Sequence, residues 1–202
     1  MALAVIVVLS VVGVAVALLM QRASHTFAGV VNEPAAIAFD FTLTDENGQV
    51  FALSQLRGYW ILLTYGYTSC PDICPTTLAN LRQVKQALGP EADQVRVVFV
   101  SVDPERDTPD ILRRYLSHFG EGVKGLTGAP GEVAAAAKEY GVKYEKKEST
   151  SAAGYLVSHS AYVYLIDPQF RWRVTYPFGV QSQEIASDLG YLIAQHSREK
   201  TQ

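Results

Sequence analysis

The 202-residue chain has two cysteines, both in the stretch Cys70-Pro71-Asp72-Ile73-Cys74-Pro75. A pair so close together cannot be a disulfide scaffold and reads as a local chemical device. Three residues separate the two, one more than in the usual dithiol redox motif. The wider loop can still close a disulfide, and it also lets two sulfurs converge on one ion. Pro75 fits the first position of a helix, which places Cys74 at or near the N-cap, where the positive helix end favours a thiolate. A thiolate serves a nucleophile and a metal ligand equally well. Soft sulfur selects Cu(I), zinc or an iron–sulfur centre. Two ligands are too few for a structural zinc site, so a third is sought among His25, His118, His159 and His196.

The elements around these residues narrow the search. Residues 38–43 and 50–53 flank the turn Asp45-Glu46-Asn47-Gly48 and read as a hairpin. Residues 59–67 and 95–102 are nearly continuous apolar runs, the pattern of strands buried on both faces. Helices are expected over 76–88, after Thr108-Pro109, over 131–140 and over 182–196, with Thr108 as an N-cap. A short strand is expected at 124–127, a strand pair or one long strand at 155–167, and another strand at 170–176. The early β-α-β units require parallel pairing and the late strands antiparallel pairing. This is a mixed central α/β sheet with flanking helices, the order of a thioredoxin-like fold extended by an N-terminal β-hairpin. The cysteine motif then sits at the carboxyl end of the first buried strand, where open α/β sheets form their ligand crevice. In that fold the loop entering the strand after His159 lies beside the same turn. His159 is therefore the expected third ligand, and Cys70, Cys74 and His159 would form a two-sulfur, one-nitrogen site suited to Cu(I). His118 and His196 lie on helices where ordinary structural roles suffice, and His25 is expected to be mobile and solvated.

The remaining signals bound the molecule. A hydrophobic content of 49% with a net charge of -3 excludes disorder for most of the chain and gives no reason to expect nucleic acid. Residues 1–20 carry no charge and are long enough to cross a bilayer as one helix. They are read as an uncleaved membrane anchor, with a signal peptide cleaved near Ala15-Val16-Ala17 as the alternative, followed by a juxtamembrane linker over 21–35 and a folded domain over 36–198. Asp103, Glu105 and Asp107, with Arg106, read as a solvated turn capping the next helix; a role behind the ligands or in partner docking is the alternative. Tyr65, Tyr67, Tyr144, Tyr162 and Tyr164 read as strand aromatics, and residues 143–148 as a polar loop.

Several motifs together resemble the SCO/SenC family. They are Tyr65-Gly66-Tyr67-Thr68-Ser69-Cys70-Pro71-Asp72-Ile73-Cys74-Pro75, Ser101-Val102-Asp103-Pro104-Glu105-Arg106-Asp107-Thr108, Gly125-Leu126-Thr127-Gly128, Val157-Ser158-His159-Ser160 and Tyr164-Leu165-Ile166-Asp167-Pro168. The resemblance implies a copper chaperone for cytochrome c oxidase assembly, with copper, Cu(I) or Cu(II), held by Cys70, Cys74 and His159. It implies a membrane anchor with the soluble domain on the outer, extracytoplasmic face. The implied partner is cytochrome c oxidase subunit II, whose binuclear copper A site would receive copper or have its cysteines reduced; the copper donor and thiol reductant are not identified. The family often has a glycine shortly after the last motif's proline, where this chain has Gln169-Phe170-Arg171-Trp172. The alternative is an enzyme, a thiol-disulfide oxidoreductase or thiol peroxidase using Cys70 and Cys74. A peroxidase would carry a Thr three residues before its reactive Cys, whereas Thr68 is two before Cys70.

Overall fold

The apolar run near residue 60 forms the central strand β4 (Trp60–Gly66), buried at all seven positions. The structure is a computed structural model and describes residues 25–148 and 154–200. The other strands are β1 (Val30–Ile37), β2 (Thr42–Asp45), β3 (Val50–Ala52), β5 (Val95–Ser101), β6 (Val123–Thr127), β7 (Tyr144–Glu148), β8 (Tyr155–His159), β9 (Tyr162–Ile166) and β10 (Arg171–Pro177). The helices are α1 (Ile73–Leu88), α2 (Pro109–Leu116), α3 (Pro130–Glu139) and α4 (Ser182–Glu199). Eight strands form one sheet in the order β1-β10-β9-β4-β5-β6-β2-β3, while β7 and β8 form a separate two-stranded sheet. β4, β5 and β6 run parallel, and β9 runs antiparallel to β4. The fold is the expected thioredoxin-like mixed α/β sheet.

Ile61, Leu62 and Leu63 of β4 and Val97, Val98 and Val100 of β5 are almost completely buried. Leu78, Leu81 and Val84 of α1 and Leu189 and Ile193 of α4 extend the same core. Each such side chain contributes roughly 1.5–3 kcal/mol against a net stability of about 5–15 kcal/mol. The central strand pair is therefore the stiffest available support for a loop at its carboxyl end.

Four expectations need correction or refinement. Residues 25–35, expected as a linker, belong to the fold: β1 starts at Val30 and pairs antiparallel with β10. His25 is not solvated. Its Nε2 lies 2.6 Å from the Asp188 carboxylate, and its ring stacks on Tyr191 at 4.3 Å. β1 leaves little trace in the sequence because it is an edge strand with a register shift between Val31 and Ala36, so backbone hydrogen bonds hold it without clean side-chain alternation. Residues 144–148, expected within a polar loop, form β7. β7 is exposed along most of its length and draws its pairing from β8, so its own sequence needs no apolar face. The 155–167 region resolves into two strands in different sheets, broken at Ser160 and Ala161. The span expected over 1–20 lies outside the described residues. Among those described, no helix is long and apolar enough to cross a membrane.

Candidate metal centre

The chain leaves β4 at Gly66 and turns through Tyr67, Thr68 and Ser69, with the Cys70 amide donating to the Tyr67 carbonyl at 3.3 Å. Helix α1 begins earlier than expected: Asp72 is its N-cap and Ile73 its first residue, so Cys74 is second and Pro75 third. Pro75 is tolerated there because amides of the first helical turn have no helical acceptor. Cys74 thus stays at the positive end of the helix, as the thiolate argument requires, but inside its first turn.

Cys74 is buried, Cys70 is half-buried, and neither is in a disulfide. Gly66 makes the room for Cys74. A Cβ on Gly66 would lie 2.8 Å from the Cys74 Sγ and 2.7 Å from Phe99.

His159 closes β8 and brings its Nε2 to 3.3 Å from the Cys74 Sγ. Its Nδ1 lies 3.0 Å from the Ser160 carbonyl oxygen. A carbonyl only accepts, so Nδ1 carries the proton, and in the neutral ring the Nε2 lone pair faces the sulfurs. The ring of Tyr67 stands edge-on to the imidazole at 5.9 Å. The donor atoms of Cys70, Cys74 and His159 all lie within 4.8 Å of one another, the one such cluster among the described residues. His118 lies in the middle of a 3-10 turn after α2, and His196 sits edge-on to Trp60 and against the Gln169 amide. Neither joins the cluster, and nor does His25.

The two sulfurs hold one proton between them. The hydrogen bond from Cys74, aided by the amides of Asp72 and Cys74, outweighs burial and holds the Cys70 thiol down to about 3. Cys74 is pushed up by that same hydrogen bond and then by burial. Capture of a metal ion by both sulfurs would therefore release the Cys74 proton.

The acidic turn after β5 is the largest departure from expectation. Asp103 and Asp107 are fully buried rather than solvated. Asp107 accepts from the Thr68 amide at 2.9 Å, the Thr68 hydroxyl at 2.6 Å and the Ser101 hydroxyl at 2.6 Å. Burial raises its pKa, and those donors oppose the rise. Asp103 accepts from the Tyr155 hydroxyl at 2.7 Å and pairs with Arg106. Only Glu105 faces solvent, pairing with Lys146 at 2.6 Å. Capping of α2 falls to Thr108, whose hydroxyl accepts from the Ile111 amide, with Pro109 at the first position, as expected.

The tyrosines divide. Tyr67 borders the site, and Tyr144 lies opposite His159 in the β7–β8 ladder. Tyr65 and Tyr164 are core residues that donate to the carbonyls of Ala136 and Tyr140. Tyr162 is 41% exposed.

Known proteins resemble this chain in sequence and in fold. The SCO2-like protein of Rickettsia felis is 35% identical over 152 residues, covering 73% of this chain and 74% of that protein. The structure of Arabidopsis thaliana ScoI with copper bound superposes with a TM-score of 0.74 at 34% identity, covering 79% of this chain and 99% of that one. The apo Sco1 protein from Thermus thermophilus gives a TM-score of 0.75 at 36% identity, covering 84% and 99%. The SCO1/SenC family model matches residues 30–194, from the edge strand β1 into α4. By fold, by motif and by the extent of that match, this chain belongs to the SCO1/SenC family.

Proposed function

We propose that this protein carries copper on Cys70, Cys74 and His159, and that residues 1–20 tether it to a membrane with the domain on the extracytoplasmic face. It delivers the metal to the binuclear copper A site of cytochrome c oxidase subunit II, or keeps that subunit's cysteines reduced. The observation that carries this reading is the donor set: two sulfurs and an imidazole Nε2 within 4.8 Å of one another. Two thiolates and one neutral imidazole are soft donors that suit Cu(I) and fall one short of a closed structural zinc site. The thiolates leave a Cu(I) complex with one net negative charge beside the N-terminus of α1, which favours an anion. A three-ligand site also leaves the cargo open to an incoming ligand. The copper-bound Arabidopsis relative supports the choice of metal.

The test is anaerobic titration of the reduced protein, begun at Gln21, with Cu(I) against a competing chelator, beside the His159→Ala variant. One tightly held copper per chain, weakened in the variant, is expected. Weak binding, or equal binding by the variant, would refute the site. A second reading rests on the asymmetry of the pair. Half-exposed Cys70 is held as the thiolate and buried Cys74 keeps the proton, an arrangement that also suits thiol–disulfide exchange. Should the copper test fail, the reduction potential of the pair decides that reading.

A further inference from the structure

His159 does not sit on the main sheet. It ends β8, whose one strand partner among the described residues is β7, so the distance from its ring to the sulfurs depends on how this arm is docked. Tyr155, Val157 and His159 alternate along β8 and share one face. Val157 is buried in the core at the middle. At the far end the Tyr155 hydroxyl donates to Asp103, and an Arg106 Nη donates to the Tyr155 carbonyl at 3.1 Å. The Arg106 guanidinium also lies 3.7 Å from the centre of the Tyr155 ring. Asp107, in the same turn, grips Thr68 two residues before Cys70.

We propose that the turn over residues 101–108 is a shared brace for the metal centre. Asp107 fixes the cysteine loop through Thr68, while Asp103 and Arg106 fix the β7–β8 arm through Tyr155 and so set the approach of His159 to the sulfurs. Asp103 and Tyr155 are then positioning residues for the histidine ligand, and Arg106, which also lies 5.7 Å from the centre of the Tyr67 ring, joins them in holding Tyr155. The inference rests on the copper reading above and adds to it. Its leverage follows from strand geometry. Tyr155 and His159 lie about 6.6 Å on either side of Val157, so a tilt of about 10° about that point moves the ring by roughly 1 Å. Metal–ligand distances tolerate only about 0.2 Å.

The test is a double-mutant cycle on Cu(I) affinity, using Tyr155→Phe with and without His159→Ala. Phenylalanine keeps the ring under Arg106 and deletes only the hydroxyl bonded to Asp103, and thermal melts confirm that each variant folds. In the parent background Tyr155→Phe is expected to weaken Cu(I) about tenfold, the lower end for loss of a group supporting a metal ligand. In the His159→Ala background it is expected to change affinity by less than about twofold, since its effect passes through that ring. Thr68→Val, acting through the sulfurs, is expected to weaken binding in both backgrounds. Equal losses from Tyr155→Phe in both backgrounds, or none in the parent, would overturn the brace. Failure of the copper reading shows separately, in the parent and His159→Ala alone. A metal-free measurement decides the brace even then. The nuclear Overhauser contact between the His159 ring and the Cys74 β-protons is expected to fall by at least about half in Tyr155→Phe. Those from Tyr67 to Cys74 are expected to persist. An unchanged His159 contact refutes the proposal.

Discussion

Gly66 carries no chemistry, yet the geometry of the centre depends on it. Its φ is not in the left-handed region, so the constraint is space. In Gly66→Ala the new methyl would sit 2.8 Å from the Cys74 Sγ and 2.7 Å from Phe99 Cε2, where ordinary contact starts at 3.4 Å. Phe99 is 1% exposed and Cys74 2%, so neither has solvent to retreat into. Overpacking of this kind costs about 1–3 kcal/mol. For a domain of this size each kcal/mol lowers Tm by roughly 2–4 °C, giving a drop of about 2–12 °C. The sulfur must yield by about 0.6 Å, some three times the tolerance of a metal–ligand distance. Cu(I) affinity is therefore expected to fall at least about tenfold. Thermal melts by circular dichroism and competition against a Cu(I) chelator measure the two effects. Adding Cys74→Ala to Gly66→Ala removes the clash with sulfur but leaves the one with Phe99, so only part of the stability should return. A Gly66→Ala protein that melts with the parent and holds copper as tightly would show that the glycine is not what makes room for the thiol.

Three further outcomes are expected. Because Cys70 is held to about 3, it stays a thiolate as pH falls from 8 to 5, and its alkylation by iodoacetamide, followed by mass spectrometry, should hardly slow. Cys74→Ala deletes the main cause, so Cys70 should then lose about tenfold in rate per pH unit below an ordinary thiol value near 8.5; a steep profile in the parent contradicts the assignment. His25→Ala removes one partner of the buried Asp188 carboxylate, leaving it the Ala28 amide at 3.0 Å, and should destabilise by about 1–3 kcal/mol in urea unfolding; a null effect would make the contact incidental. Phe170 holds φ 65° with its ring fully buried and the Arg57 guanidinium 4.4 Å above it. Phe170→Gly would relieve about 1–2 kcal/mol of backbone strain but forfeit about 3–5 kcal/mol of packing; a variant more stable than the parent would reverse that balance.

That phenylalanine stands in the turn where the resemblance leads one to expect a glycine. A left-handed residue after Asp167-Pro168-Gln169 suits glycine, and here an aromatic ring is retained because its burial outweighs the strain. The central fold was legible for a related reason. β4 and β5 are buried on both faces, so their apolar runs report the tertiary structure directly, and α1, α2 and α4 carry an apolar stripe at helical spacing. β1 and β7 were illegible because their partners supply the stability. β1 hangs on the edge of β10 by its backbone, and β7 lies in an arm that never enters the main sheet.

The same distinction divides the site. The cysteines are neighbours in sequence, and a fold-level argument brings the strand after His159 beside them. Asp103 and Asp107 read as solvent-exposed because unpaired charge belongs in water, and a buried carboxylate is tolerable only where donors meet it. Ser101 and Arg106 are local, but two of those donors come from far along the chain. Thr68 is 39 residues from Asp107, and Tyr155 is 52 from Asp103. No local pattern records such pairs. The outcome has a functional consequence under the copper reading. Cys70 comes from the loop between β4 and α1 and Cys74 from the first turn of α1, while the nitrogen comes from the β7–β8 arm, so the nitrogen is held by a different element from the sulfurs. His159→Ala should then keep one copper per chain at reduced affinity, whereas Cys74→Ala should lose tight binding altogether. Such an order of dependence is what stepwise handover requires, since an incoming ligand can take the histidine's place before either thiolate lets go. Stoichiometries measured on the two variants side by side test it, and a histidine variant as empty as the cysteine variant would mean that the three ligands act only as a unit.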